Sequence, residues 1–323
     1  MKKLLSVFLI LMLLLSGCQS QQPAESTAQP DEDNATESLL PVLRIGVMSD
    51  VGAVPFVIAD KMGYFKERGL PIEIEVFRSA LDRDSALQTG NLDAVMADML
   101  TIFFYNESQF NAKMIGRTYG NYIMVTNPLL DLDDFKALPV HSIGLSSNTV
   151  IDFSTVKIAE SNQFLKTLEK VAIPQMPVRL EMLKAGELSG ATLPEPLASA
   201  AILEGGVRIG DTESFDLYPG IFIASADAIA NNPEALKTLY EGYNEAVDYL
   251  NQTDVSEYFD FLVSELGFPE ILKEQFVMPT FSHVDAPDET TFNKTYEWMK
   301  DEKLIEGSYS YDGLVDLSFI SEP

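Results

Sequence analysis

The sequence predicts an α/β protein of two similar lobes, each a mostly parallel sheet flanked by helices, with a ligand cleft between them. From about Leu40 onward, short apolar runs of strand length alternate with helical patterns. A helix–glycine–strand unit also recurs: SALQTGNLDAVMAD at 85–98 and EMLKAGELSGATLP at 181–194, offset by 96. Leu87/Leu183, Gly90/Gly186 and Leu92/Leu188 coincide in the two copies. Each copy reads as a helix ended by a glycine, then a buried strand. Each strand then delivers an acid at its carboxyl end, Asp98 or Glu195. Open α/β sheets bind ligands outside the carboxyl ends of their strands.

In chain order, the first element is a leader. Lys2 and Lys3 precede a short apolar run, Leu4 to Leu15, and the small residues Ser16 and Gly17 precede Cys18, the one cysteine of the chain. A charged start, a short apolar run and a small-residue cleavage site describe a secretory signal, residues 1–17. The order Leu15-Ser16-Gly17-Cys18 resembles the bacterial lipobox, which implies cleavage before Cys18 and lipidation of its sulfur. Residues 18–39 are rich in Gln, Ser, Pro and acid, the composition of a disordered tether. No later segment is apolar for about 18 residues, so this lipid would be the only membrane attachment, at the outer face of the cytoplasmic membrane.

The body begins with a strand, Leu43–Met48. Ser49–Val54 is a loop, and Pro55 opens a helix through Lys66, at a position where its missing N–H costs nothing. Gly69 closes that helix. Ile72, Ile74 and Val76 alternate with Glu73 and Glu75 as a second strand. Further strands are predicted at 94–97, 113–117, 122–126, 142–145, 191–193 and 220–224. Helices are predicted at 99–105 and 150–160. From Asn232 the pattern is helical, with Leu236, Leu239, Tyr240, Tyr243, Val247 and Leu250 forming one apolar face.

Charge and cysteine usage exclude several functions. The chain has 22 basic and 49 acidic residues, net −27. Nucleic-acid binding is excluded, because neutralising phosphates needs a basic surface. One cysteine cannot form an internal disulfide, and with only His141 and His283 no Cys/His metal site is expected. No cofactor is expected.

The motifs LRIGVMSDVGAVPFVIADKMGYFKERGLPIEIEVF (43–77), ALQTGNLDAV (86–95) and AGELSGATLPEPLASAA (185–201), with the lipobox, resemble the substrate-binding proteins of nitrate/sulfonate/taurine ABC importers. The resemblance implies the type II periplasmic-binding fold, with two crossings between lobes. These are expected near 125–128 and 216–220, so that lobe one is 40–126 and 220–323 and lobe two is 127–219. The C-terminal helices then pack on lobe one. It also implies a monomer that closes on a small molecule and hands it to a permease with ATPase subunits.

The expected cleft residues follow from strand ends, helix starts and this resemblance. They are Ser49, Asp50 and Val51 before the Pro55 helix, Ser79 after the second strand, and Asp98 and Met99 after the first repeat. In lobe two they are Ser147, Asn148 and Thr149, where a helix N-terminus offers donors, and Glu195. Tyr119, Tyr122 and Tyr218 lie near the crossings, placed to stack on a flat ligand. Several of these are also ordinary N-cap residues. Arg83 and Arg117 are the basic candidates. Asp50, Asp98 and Glu195 together disfavour an anion and favour an amine-bearing heterocycle, such as an amino-pyrimidine of the kind relatives of this family carry. The alternatives are a receptor for sulfonate-, taurine- or nitrate-like anions, an enzyme of pyrimidine or menaquinone synthesis on the same fold, and a surface adhesin. The chain lacks the cysteine-rich motif of the pyrimidine-forming enzymes, and no G-x-S-x-G, H-E-x-x-H or P-loop is present.

Overall fold

The computed structural model describes residues 40–320. They form two five-stranded sheets. The first has β1 (Leu43–Met48), β2 (Ile72–Phe77), β3 (Ala94–Asp98), β4 (Ala112–Arg117) and β10 (Gly220–Ser225), in the order β2-β1-β3-β10-β4. The second has β5 (Tyr122–Thr126), β6 (His141–Leu145), β7 (Leu168–Ala172), β8 (Gly190–Pro194) and β9 (Arg208–Asp211), in the order β7-β6-β8-β5-β9. In each sheet one strand runs against the rest. β10 is antiparallel to β3 and β4, and β5 is antiparallel to β8 and β9, while β1–β2, β1–β3, β6–β7 and β6–β8 are parallel. The reversed strand is in each case the one that has just crossed from the other sheet.

This moves one expected boundary. Tyr122–Thr126 pairs with β8 and β9, so it belongs to the second sheet. The first crossing is therefore 118–121 rather than 125–128, because Thr118 already bonds Gly220 and Tyr122 already bonds Thr212. The return crossing lies between β9 and β10.

The helices are α1 (Val54–Met62), α2 (Tyr64–Glu67), α3 (Ala80–Gln88), α4 (Met99–Glu107), α5 (Leu132–Lys136), α6 (Val150–Ser161), α7 (Met176–Lys184), α8 (Leu197–Leu203), α9 (Ala226–Asn231), α10 (Pro233–Gln252), α11 (Phe259–Leu266), α12 (Glu289–Asp301) and α13 (Tyr311–Leu314). The single helix expected from Pro55 to Lys66 is split. Gly63 takes φ +82° and ends α1, and α2 restarts at Tyr64. Among the described residues no helix is long and apolar enough to cross a membrane.

Strands β3 and β8 are buried along their whole length because helices cover both faces. The two repeats build the same packing. Leu87 and Leu183, and Leu92 and Leu188, are all buried. A Cβ at Gly46 of β1 would stand 2.7 Å from Leu92 Cδ1, and a Cβ at Gly144 of β6 would stand 2.7 Å from Leu188 Cδ1. Each glycine thus gives up its side chain to admit the repeat's leucine. α10 buries its six predicted apolar residues against α1 and β10, with Tyr243 4.9 Å from Phe56 between ring centres. α12 packs on α4, Phe292 against Phe103 at 4.8 Å.

Candidate ligand site

The strand ends of the first sheet deliver two carboxylates. Asp50 follows β1, and its Oδ1 accepts the Gly52 N–H at 2.9 Å. Asp98 ends β3 and caps α4, with Oδ1 accepting the Leu100 N–H at 2.9 Å. Both are buried. Burial pushes the Asp50 carboxyl up to about 7, against the pull of the Gly52 amide and the Arg83 charge. Burial also raises Asp98, opposed by the Arg83 charge and by the Val150 amide at the start of α6. Tyr122 of β5 faces this pair. Burial and the charges of Asp50 and Asp98 hold its hydroxyl far above the ordinary tyrosine range, so it stays a donor.

The second lobe contributes the start of α6. Thr149 caps it, its Oγ1 accepting the Ile151 N–H at 3.2 Å and donating to the Ser146 carbonyl at 2.8 Å. Ser146 Oγ accepts from the buried Arg179 guanidinium. Arg179 stands 96 positions after Arg83, and the two make equivalent bonds. Arg83 Nη1 donates to the Met96 carbonyl at 3.0 Å, and Arg179 Nη1 donates to the Thr192 carbonyl at 2.8 Å. They differ in counter-charge. Arg83 bonds the Asp84 carboxylate at 2.7 Å, while Arg179 donates to the Ile173 and Thr192 carbonyls and to Ser146. With no carboxylate among those acceptors, burial lowers Arg179 to about 9. Sequence reasoning missed Arg179, although the offset of 96 that aligns the leucines also aligns it with Arg83.

The lobes meet. The Val51 N–H donates to the Glu195 carbonyl at 3.0 Å, the Met176 N–H to the Arg78 carbonyl at 3.1 Å, and Gln175 Nε2 to Asp82 Oδ2 at 3.0 Å. Phe153 of α6 packs on Trp298 of α12 with ring centres 5.0 Å apart. The cavity left between Asp50, Asp98, Tyr122, Ser146 and Thr149 is about 30 Å³, room for little more than a water. With these contacts made, the cavity has no room for a ring-sized molecule.

Of the expected residues, Asp50, Asp98, Tyr122 and Thr149 line that cavity. Val51, Tyr119 and Glu195 wall a shallow extension of it beside Asp50 and Tyr122. Glu195 is engaged by Ser199, whose N–H and Oγ–H it accepts at 3.0 and 2.9 Å, and burial raises it. The others fall elsewhere. Ser49 donates its hydroxyl to the Leu266 carbonyl, fastening the loop to the end of α11. Ser79 is buried at the start of α3 and makes no capping bond. Met99 is fully buried in the core. Ser147 and Asn148 are exposed, because the turn at Asn148 (φ +58°) carries them outward and leaves Ser146 facing the cavity. Tyr218 lines a different cavity, on the crossings. Arg117 stands with it, 4.0 Å from Asp285. Neither histidine reaches the cleft: His141 bonds Thr167 and the Phe135 carbonyl, and His283 bonds Asp248. Among the described residues no group of three His, Cys, Asp or Glu is placed to hold a metal. Cys18 lies outside the described residues.

The sequence model of the NMT1-like family matches residues 38–138. No curated protein matches the chain in sequence. Solved structures match its fold. The ligand-binding component of an ABC-type import system from Staphylococcus aureus, solved with zinc bound, is 12% identical, with a TM-score of 0.74 over 86% of this chain and 97% of that one. The alkanesulfonate-binding protein SsuA from Xanthomonas axonopodis pv. citri, bound to MOPS, is 16% identical, with a TM-score of 0.73 over 86% of this chain and 99% of that one. The periplasmic aliphatic sulphonate binding protein SsuA from Escherichia coli is 13% identical, with a TM-score of 0.71 over 85% of this chain and 91% of that one. Residues 38–138 thus carry an NMT1-like sequence, and the body that contains them has the two-lobed fold of the periplasmic binding proteins.

Proposed function

We propose that this chain is the extracytoplasmic solute receptor of an ABC importer, and that it closes on a small ligand bearing an amine or amino-heterocycle. The observation that carries the ligand class is the pair Asp50 and Asp98. Two strand ends bring both carboxylates and Tyr122 to one small cavity. Burial opposes the charged form of both, so a positive or hydrogen-donating ligand would favour that form. Closure needs no catalytic group: the ligand binds the closed state better and shifts the population toward it, and a permease with its ATPase subunits reads that form. The anchor proposed is a lipid on Cys18, which would hold the receptor at the outer face of the membrane. Replacing Cys18→Ser is expected to release the protein into the medium or periplasm, seen by membrane fractionation, with ligand affinity unchanged.

A second reading rests on Arg179. Its buried charge faces no carboxylate and reaches the cavity through Ser146, which suits an anion such as the sulfonates bound by the two SsuA proteins. Titration calorimetry of the full chain separates the two readings. Aminopyrimidines are expected to bind with micromolar or tighter affinity, about −8 kcal/mol or better, and more weakly at pH 5 than at pH 8. Binding of taurine or alkanesulfonates, with no heat from aminopyrimidines, would reject the amine reading in favour of the anion.

A further inference from the structure

A larger cavity than the cleft lies on the two crossings, about 230 Å³ against about 30 Å³. Its walls are Arg117–Gly120 on the first crossing, Glu213 and Tyr218 on the second, Tyr243 of α10, and the loop Thr280–His283. Tyr119 and Gly120 also bound the shallow space beside Asp50, so the first crossing is the partition between the two.

The lining is chemically specific. Aromatic rings come from four side chains, and Tyr119 meets Phe281 edge to face at 6.0 Å. Arg117 is the cation that faces this ring cluster. Its side-chain partner, Asp285, is 4.0 Å away and 70% exposed, so the guanidinium fork is loosely held. Glu213 supplies a carboxylate at the rim and is itself exposed. His283 is engaged by Asp248 at 2.8 Å. Thr118 is buried beside the cavity with a hydroxyl that has no hydrogen-bond partner, a group that a native protein seldom leaves unmade.

We propose that this cavity is a second ligand site, for a zwitterion of the aromatic α-amino acid class. The carboxylate sits on the Arg117 fork, the ammonium faces Glu213, and the ring lies among Tyr119, Tyr218 and Phe281. A lone anion would face Glu213 unpaired, and a lone cation would face Arg117. Because the walls come from both crossings, any change in the angle between lobes reshapes the cavity. An occupant therefore prefers one lobe angle over the other and biases closure, and by linkage the cleft ligand changes its affinity in return. Binding itself does not depend on the receptor reading; only its effect on closure does.

The probe is L-phenylalanine, titrated into the full chain by calorimetry. Binding is expected, weakened about tenfold or more by Arg117→Gln through loss of a charge-assisted hydrogen bond. Tyr218→Ala, at an exposed side chain, is expected to weaken it as well, and serves if Arg117→Gln does not fold. Phenylacetate and phenethylamine, each with one of the two charges, are expected to bind about tenfold weaker or worse. No heat from L-phenylalanine up to about 10 mM would overturn the site. So would binding that both substitutions leave unchanged, or binding lost with Asp98→Asn and kept with Arg117→Gln, which would place the amino acid in the cleft. Phenylacetate binding as tightly as L-phenylalanine would overturn the zwitterion assignment. In each of these cases the aminopyrimidine titration of the cleft is left as it stands.

Discussion

Asp50 has two tasks that conflict. Its carboxylate caps the turn at Gly52, a favourable use of charge, yet burial opposes that charge and moves the group to about 7. The folded value lies above the ordinary 3.8, so between those values the native state holds a proton that the unfolded chain has released. Stability from this group is therefore present at low pH and falls as pH rises from about 4 to 7, by something on the order of 2–4 kcal/mol. Asn keeps the acceptor oxygen for Gly52 and carries no charge. Asp50→Asn is thus expected to match the parent in urea unfolding near pH 4 and to exceed it at pH 8. An equal difference at both values would mean that the carboxylate is not desolvated as described. Arg179 shows the same conflict in a base, since its burial is balanced only by carbonyls and a serine.

At the scale of elements, what was legible in the sequence follows from what each element buries. β1, β3, β8 and β10 are covered on both faces and read as apolar runs. β2 is an edge strand, legible because Glu73 and Glu75 alternate with apolar neighbours. β7 and β9 were not legible. LEKVA and RIGD have no sustained alternation and present charges to solvent, as edge strands do. Their strand state comes from partners far along the chain. The same limit explains the misplaced crossing, since only pairing with β8 shows that Tyr122–Thr126 has already changed lobes. In the candidate site, the placement of the carboxylates at one cavity was legible because a strand end followed by a helix start fixes where Asp50 and Asp98 stand. Ser147 and Asn148 were not, because one left-handed residue turned their loop by a single position. The repeat carries more than its leucines and glycines: its offset aligns Arg83 with Arg179 as well.

For the molecule as a whole, the proposed closure is a balance that its charges would control. The closed form sets Asp50 and Asp98 together in a space that holds about one water. It is held by backbone bonds between the lobes, Val51 to Glu195 and Met176 to Arg78, and by the Phe153–Trp298 contact. Parting the lobes would rehydrate both carboxylates and relieve the burial that raises them. Rising pH, which removes the Asp50 proton, should therefore favour the open form, and a positively charged or hydrogen-donating ligand should restore the closed one. The chain has a single tryptophan, Trp298, and it is 8% exposed at this contact between the lobes. Opening wets the indole and shifts its emission to longer wavelength. Without ligand, raising the pH from about 5 to 8, across the range in which Asp50 titrates, is expected to produce that red shift, and aminopyrimidine at pH 8 is expected to reverse it. The same titration of Asp50→Asn should shift less. Phe153→Ala should leave the indole wet throughout and flatten the response, while calorimetry still detects the ligand. An emission maximum that ignores both pH and ligand in the parent protein would mean that the lobes do not part, and that the Asp50–Asp98 cavity is a fixed feature of the core.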